Sequence, residues 1–205
     1  MHHWILLKGF AAGLAIAAPL GPVGVLCIRR TAGRGIRAGL VSGLGAALAD
    51  ALFAAVAGYG LNAIASAILA HEGVMRVVSG ILLVVLGIRA LFDHMPNPSE
   101  PATSGRFVLY FSSGFLLTIA NVMTLFALIA IIAGLGLKES VGHLAGATVF
   151  VAGAFGGSLL WWVLLCYLTR RFHPSPGHPW IRWINPICGI VVLAFGVISI
   201  CQGIR

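Results

Sequence analysis

Charges punctuate this chain so as to leave long uncharged runs between them. Lys8 to Arg29 encloses 20 uncharged residues, Arg106 to Lys138 encloses 31, Glu139 to Arg170 encloses 30 and Arg182 to Arg205 encloses 22. About 20 apolar residues cross the roughly 30 Å hydrocarbon core of a bilayer as a helix. The pattern therefore predicts six spans, at about 5–28, 38–59, 74–92, 107–134, 143–168 and 184–203. The third is the weakest, with 12 uncharged residues between Arg76 and Arg89, but both arginines can reach opposite interfaces along their apolar stems. The fourth and fifth are long enough to tilt or to contain a break. Lys8, the apolar run after it and Ala15-Ile16-Ala17 also fit a secretory signal with its cleavage site. The run continues through Pro19 to Ile28, which favours a first membrane helix.

Composition supports the same class. A mean hydropathy of +1.03, with 60% hydrophobic and 9% charged residues, lies outside the range of soluble domains. The expected fold is an all-α membrane protein with the lipid bilayer as its surroundings. The net charge of +8 would suggest nucleic acid in a soluble chain; here it follows from Lys and Arg retained in loops, and no nucleic-acid partner is expected. Six spans put both termini on one side. The odd loops carry Arg29, Arg30, Arg34, Arg37, Arg89, Arg106, Arg170, Arg171 and Arg182, and the other side carries Lys8, Arg76, Lys138 and Arg205. The richer side should be cytoplasmic, which makes both termini external. Residues 93–106, with three prolines in the first part, read as a polar cytoplasmic linker. His173 to Pro179 reads as a second, stiff loop. Cys27, Cys166, Cys188 and Cys201 form no CxxC pair and lie in or beside apolar segments. They suggest packing rather than a disulfide framework or a zinc site. The histidines sit in termini, loops or, for His143, at the start of the fifth span, so no cofactor or resident metal is expected.

The stretches 1–92 and 107–205 echo each other. Gly9-Phe10 matches Gly114-Phe115, and Gly45 and Asp50 lie 108 positions before Gly153 and Ser158. Gly80-Ile-Leu-Leu-Val-Val-Leu-Gly87 matches Gly189-Ile-Val-Val-Leu-Ala-Phe-Gly196 at an offset of 109. Three spans per half require the second repeat to insert upside down relative to the first. Inverted three-helix repeats are a common construction of secondary transporters, whose sites lie at the repeat interface near mid-membrane.

Several unusual residues fall at that depth. A carboxylate at the bilayer centre costs several kcal/mol unless it is paired, protonated or facing water, and Asp50 lies about 20 Å along the helix from Arg37. Pro19, Gly21 and Pro22 lie about midway between Lys8 and Arg29, Asn121 about midway between Arg106 and Lys138, and Ser158 near the centre of the fifth span. Two prolines and two glycines in Pro19-Leu-Gly-Pro22-Val-Gly24 should interrupt the first helix. Such a break is tolerated where it is buried in protein or lines a wet cavity, and the half-helix after it would aim its positive end at an anion. A kink that only shapes packing is the plainer alternative. Asp50 has three readings: a ligand for a substrate ammonium, a carrier of a coupling proton, or one half of a structural ion pair. Asn121 can line a cavity or bond a neighbouring helix. Ser158, Thr124 and one of Trp161 and Trp162 make weaker versions of the same case. Ser42, Gly43, Gly45 and Ala46 give the second helix a small-residue face suited to close packing.

Taken in order and spacing, these residues resemble the lysine-exporter (LysE/RhtB) family of small amino-acid efflux proteins over nearly the whole chain. Pro19-Leu-Gly-Pro22 is similar to the family's Pro-Gly-Pro. Arg30…Gly35…Arg37-Ala-Gly39-Leu, Gly43-Leu-Gly45…Asp50, Gly114-Phe-Leu-Leu…Asn121 and Arg182-Trp-Ile-Asn185-Pro-Ile-Cys-Gly189 resemble its first loop and second, fourth and sixth helices. The chain departs from the family at Val122, where Asn-Pro is common in the fourth helix. The resemblance implies a non-enzymatic, secondary-active exporter of amino acids or related zwitterions, driven by protons. The substrate would meet Pro19, Gly21, Pro22, Asp50, Asn121 and Ser158, with Asp50 also carrying the proton. No GxxxxGK[ST] is present to supply nucleotide energy. A divalent-cation exporter of the wider superfamily is the alternative, though Asp50 is the one obvious ligand. A membrane enzyme is weaker still, with neither HExxH nor a mid-span histidine to act as base. A homodimer is compatible with all of this.

Overall fold

The computed structural model describes residues 2–19, 21–60, 70–92, 104–172 and 179–204. They form nine helices: α1 (His2–Ala17), α2 (Pro22–Arg34), α3 (Ile36–Gly58), α4 (Glu72–Phe92), α5 (Ser104–Ile119), α6 (Met123–Gly134), the single-turn α7 (Lys138–Val141), α8 (Leu144–Phe172) and α9 (Pro179–Ile204). Most of the linker expected at 93–106, and most of the loop at 173–179, lie outside the described residues.

Helices α3 and α8 are each long and apolar enough to cross a bilayer unbroken. Two further candidates are bent pairs, with α1 and α2 meeting at 80° and α5 and α6 at 61°. That makes two to four candidate spans in a multi-pass membrane protein. Where the third and sixth spans were expected, the shorter apolar stretches Gly73–Ile88 and Gly189–Ile204 lie within α4 and α9.

One expectation is corrected at the first loop. Arg29 and Arg30 belong to a helix and not to the expected loop: α2 continues to Arg34 and the connection to α3 is the single residue Gly35. Its φ of +86° is open to glycine at little cost, so two helices can join there without a longer loop.

Glycines set the helix pairings. A Cβ added at Gly9 or Gly13 would strike the carbonyl oxygens of Phe150 and Ala154 on α8. One added at Gly153 or Gly157 would strike those of Leu6 and Phe10 on α1. Rising residue numbers match on both sides, so α1 and α8 run parallel. The contact of α3 with α5 is built alike: Gly45 faces the Phe111 carbonyl, and Gly114 faces the Ser42 carbonyl. Helices α4 and α9 run antiparallel through Gly80 against Gly196 and Gly87 against Gly189. Small residues matter here because lipid tails give apolar side chains no reason to prefer another helix, so backbones must approach closely to gain dispersion contacts.

Helix α3 is the centre, packed on α2, α5, α6 and α8. One apolar cluster gathers Phe53, Leu125, Leu128 and Phe150; a second gathers Ala17, Cys27, Ala46, Ala47, Trp162 and Cys166. Asp50 sits on α3 between Ala47 of one and Phe53 of the other.

Candidate functional site

The site is built on the two unbroken spans. Asp50 of α3 is 3% exposed, and its Oδ2 accepts a hydrogen bond of 2.6 Å from the Ser158 hydroxyl of α8. Ser158 in turn accepts one of 3.1 Å from the Trp162 indole N–H, one turn further along the same helix. An indole, a hydroxyl and a carboxylate thus form a short relay between antiparallel helices. The surrounding Ala46, Ala47, Ala49 and Ala54 are buried and small, which lets α8 come near enough for a serine to reach the carboxylate. A hydrogen bond to a charged group in such surroundings contributes about 1.5–3 kcal/mol. Among the described residues the other carboxylate oxygen takes no hydrogen bond, and no cation pairs with Asp50.

The expected break in the first helix is present. Helix α1 ends at Ala17, Gly21 donates its N–H to the Pro19 carbonyl at 2.8 Å, and α2 starts with Pro22 in its first turn. Proline suits that position because its missing donor has no intrahelical partner there. Pro19 is exposed, Gly21 and Pro22 are half-buried, and a Cβ on Gly21 would meet nothing. Leu20, the insertion in the Pro-Gly-Pro-like element, lies outside the described residues.

The second break occurs without a proline. Helix α5 stops at Ile119, and α6 starts at Met123. Asn121 donates its N–H to the Thr118 carbonyl at 3.0 Å and accepts at its own carbonyl from Thr124 at 3.1 Å. No side chain caps α6. The Asn121 side chain is exposed, and among the described residues no hydrogen bond joins it to Asp50 or to a neighbouring helix. Three residues earlier, Thr118 Oγ1 is buried without a partner, as is Trp161 Nε1 beside Ser158.

A second polar cluster was not anticipated. Arg30 is 7% exposed. Its Nη1 donates to Ser42 Oγ at 2.6 Å and to the Tyr110 carbonyl at 3.1 Å, and its Nη2 donates to Ser113 Oγ at 2.7 Å. The guanidinium lies 4.8 Å from the centroid of the Tyr110 ring, and Arg34 donates to the Tyr110 hydroxyl at 3.2 Å. Reading Arg30 as a loop charge hid this. The available signal was the spacing of Gly24, Cys27, Arg30 and Thr31, which fall on one helical face once α2 is extended past Arg29.

Broken spans, a buried carboxylate between unbroken ones and glycine-tight helix contacts describe a polytopic membrane transporter in class. The sequence profile of the LysE type translocator family matches residues 14–203, and the chain belongs to that family. A Bacillus subtilis (strain 168) protein named "Putative amino acid efflux protein YcgF" is 24% identical, over 98% of this chain and 97% of its own length. No solved structure matches the chain.

Proposed function

We propose that this protein is a secondary-active exporter of amino acids or related small zwitterions, driven by the proton gradient across a bacterial inner membrane. The observation that carries this reading is the Asp50–Ser158 hydrogen bond, made at the middle of the chain's two unbroken apolar spans. Family membership and the name borne by the Bacillus subtilis relative point the same way.

The halves 1–92 and 107–205 are taken as inverted repeats. In support, the contact of Gly9 with Phe150 has its counterpart in that of Gly114 with Ser42. The counterpart comes from adding 105 to positions in α1 and subtracting 108 from positions in α8. The same offsets carry Gly153 against Leu6 onto Gly45 against Phe111. Asp50 and Ser158 are themselves equivalent by the second offset, so their hydrogen bond would lie on the axis that relates the repeats. A site on that axis is reached equally by rocking either half, which is what alternating access requires.

In this mechanism the breaks after Ala17 and Ile119 offer backbone donors to the substrate carboxylate, with Asn121 assisting. The unpaired oxygen of Asp50 receives the substrate ammonium. A proton entering from the periplasm takes its place, neutralises Asp50 for the return step and is released inside. Ser158 and Trp162 hold the carboxylate in one rotamer through both steps.

Purified protein in liposomes should take up an amino acid from a screen of the common twenty and should do so faster with an imposed pH gradient. Uptake indifferent to that gradient would remove proton coupling, and uptake of none of the twenty would remove the substrate class.

A further inference from the structure

We propose that Arg30 is a second solute site, a dock for the carboxylate of the transported amino acid, and that binding there releases α5 from α2 and α3. The proposal takes its solute class from the export reading, while the anion chemistry comes from Arg30 itself.

Arginine is always charged, and a guanidinium taken out of water is costly unless an anion answers it. Arg30 is almost fully enclosed, yet its three hydrogen bonds go to two hydroxyls and a carbonyl. No carboxylate contacts it among the described residues. Both hydroxyls are already committed as donors, Ser42 to the Ala38 carbonyl at 2.9 Å and Ser113 to the Leu109 carbonyl at 2.7 Å. They meet Arg30 only as neutral acceptors. Of its five N–H donors, Nε–H and one on Nη2 remain. A carboxylate on the Nη2 side binds with charge-assisted bonds, roughly twice as strong as neutral ones, so it competes with the neutral Ser113 hydroxyl for Nη2.

That exchange has a mechanical consequence. Arg30 ties α2 to Ser42 on α3 and to Tyr110 and Ser113 on α5, and α5 lies in the opposite half of the chain. An anion that takes Arg30 away from Ser113 binds the parted arrangement better than the closed one, and differential binding of this kind shifts the population. The dock is separate from Asp50. Ser42 precedes Asp50 by eight residues on α3, about 12 Å along the axis, which is too far for one α-amino acid to bridge. The solute would meet Arg30 first, at the end where Arg34 and Arg37 cluster, and Asp50 afterwards.

Cys27 is a built-in reporter, one turn before Arg30 on α2 and fully buried. In full-length protein with Cys166, Cys188 and Cys201 changed to serine, reconstituted in liposomes, Cys27 alkylation by N-ethylmaleimide is timed under three conditions. They are no addition, the nineteen common L-amino acids other than cysteine as a mixture, and the same mixture as methyl esters, which keep the ammonium and lose the carboxylate. The acids should speed labelling at least about fivefold, and the esters should not. Arg30→Gln should label fast throughout and respond to neither. Arg30→Lys, which keeps the charge and loses the bidentate edge, should respond more weakly than wild type and serves if the glutamine variant fails to insert. Equal effects of acids and esters, slower labelling with acids, or an unaltered response in either variant would overturn the dock. Counterflow of the same mixture, run in parallel, separates the two readings. Transport without a Cys27 response removes the dock alone, and a Cys27 response without transport removes the export reading alone.

Discussion

At the scale of single residues, two buried polar centres differ in how plainly the sequence announces them. Asp50 is legible because an acid in the middle of an apolar run has a known cost, and Ser158 because it falls 108 positions later, at the same offset as Gly153 from Gly45. Their hydrogen bond could not be read, since an offset between residues says nothing of distance. Arg30 was invisible for a physical reason: an arginine at the end of an apolar run looks like an interfacial charge until the helix is known to continue past it. The proposed mechanism makes two residue-level predictions. Asp50→Asn keeps the size and the hydrogen bond from Ser158 while removing the charge. It should abolish export with normal membrane levels; counterflow at the wild-type rate in liposomes would exclude an essential carboxylate. Ser158→Ala removes one charge-assisted hydrogen bond worth about 1.5–3 kcal/mol. It should lower the transport rate by roughly 10- to 100-fold while leaving the protein monodisperse in detergent. If Trp162→Phe lowers the rate as much, the relay beyond Ser158 matters to turnover; if it changes nothing, Trp162 only packs.

At the scale of elements, the first-helix break was legible from two prolines and two glycines in six residues. The second was not, because Asn121-Val122 contains no residue that forbids a helix. The chain nevertheless stops α5 at Ile119 and restarts at Met123. Val122 holds φ −59° and ψ −23°, and its N–H makes no backbone hydrogen bond among those that cross the break. Proline fixes φ near −65° and lacks that donor, so Val122→Pro should be accepted here, with thermal stability within about 1 kcal/mol of wild type. A continuous helix at that point would instead lose about 3 kcal/mol or more. The tight glycine contacts make the opposite prediction. At Gly153 a Cβ would run into the backbone of Leu6 and Phe10, which no rotamer change relieves. Gly153→Leu should therefore force α1 from α8 and cost several kcal/mol, visible as a steep loss of folded protein in detergent, whereas Gly105→Ala, with open space around it, should be neutral.

At the scale of the whole molecule, orientation is where sequence and structure make separate demands. Nine Lys/Arg on the odd loops against four on the other side predicted those loops cytoplasmic. Moving Arg30 into a buried cluster within α2 leaves eight against four, so the bias survives the correction. Inverted halves would require that bias in both stretches, and both carry it: Arg34 ends α2, Arg37 lies in the first turn of α3, Arg106 lies in the first turn of α5, and Arg170 and Arg171 lie in the last turn of α8. The parallel course of α1 with α8 and the antiparallel course of α4 with α9 suit an axis lying in the membrane plane, because such an axis reverses the direction of each helix it carries onto its partner. Single cysteines at Gly33, Ser175 and Glu139 test this without reference to transport. Gly33→Cys and Ser175→Cys should react with an impermeant maleimide only after the cytoplasmic face is opened, and Glu139→Cys should react in intact spheroplasts. Labelling of Gly33→Cys and Ser175→Cys from opposite sides would give the halves the wrong relative orientation, and with it would go the shared axis on which Asp50 and Ser158 are proposed to meet.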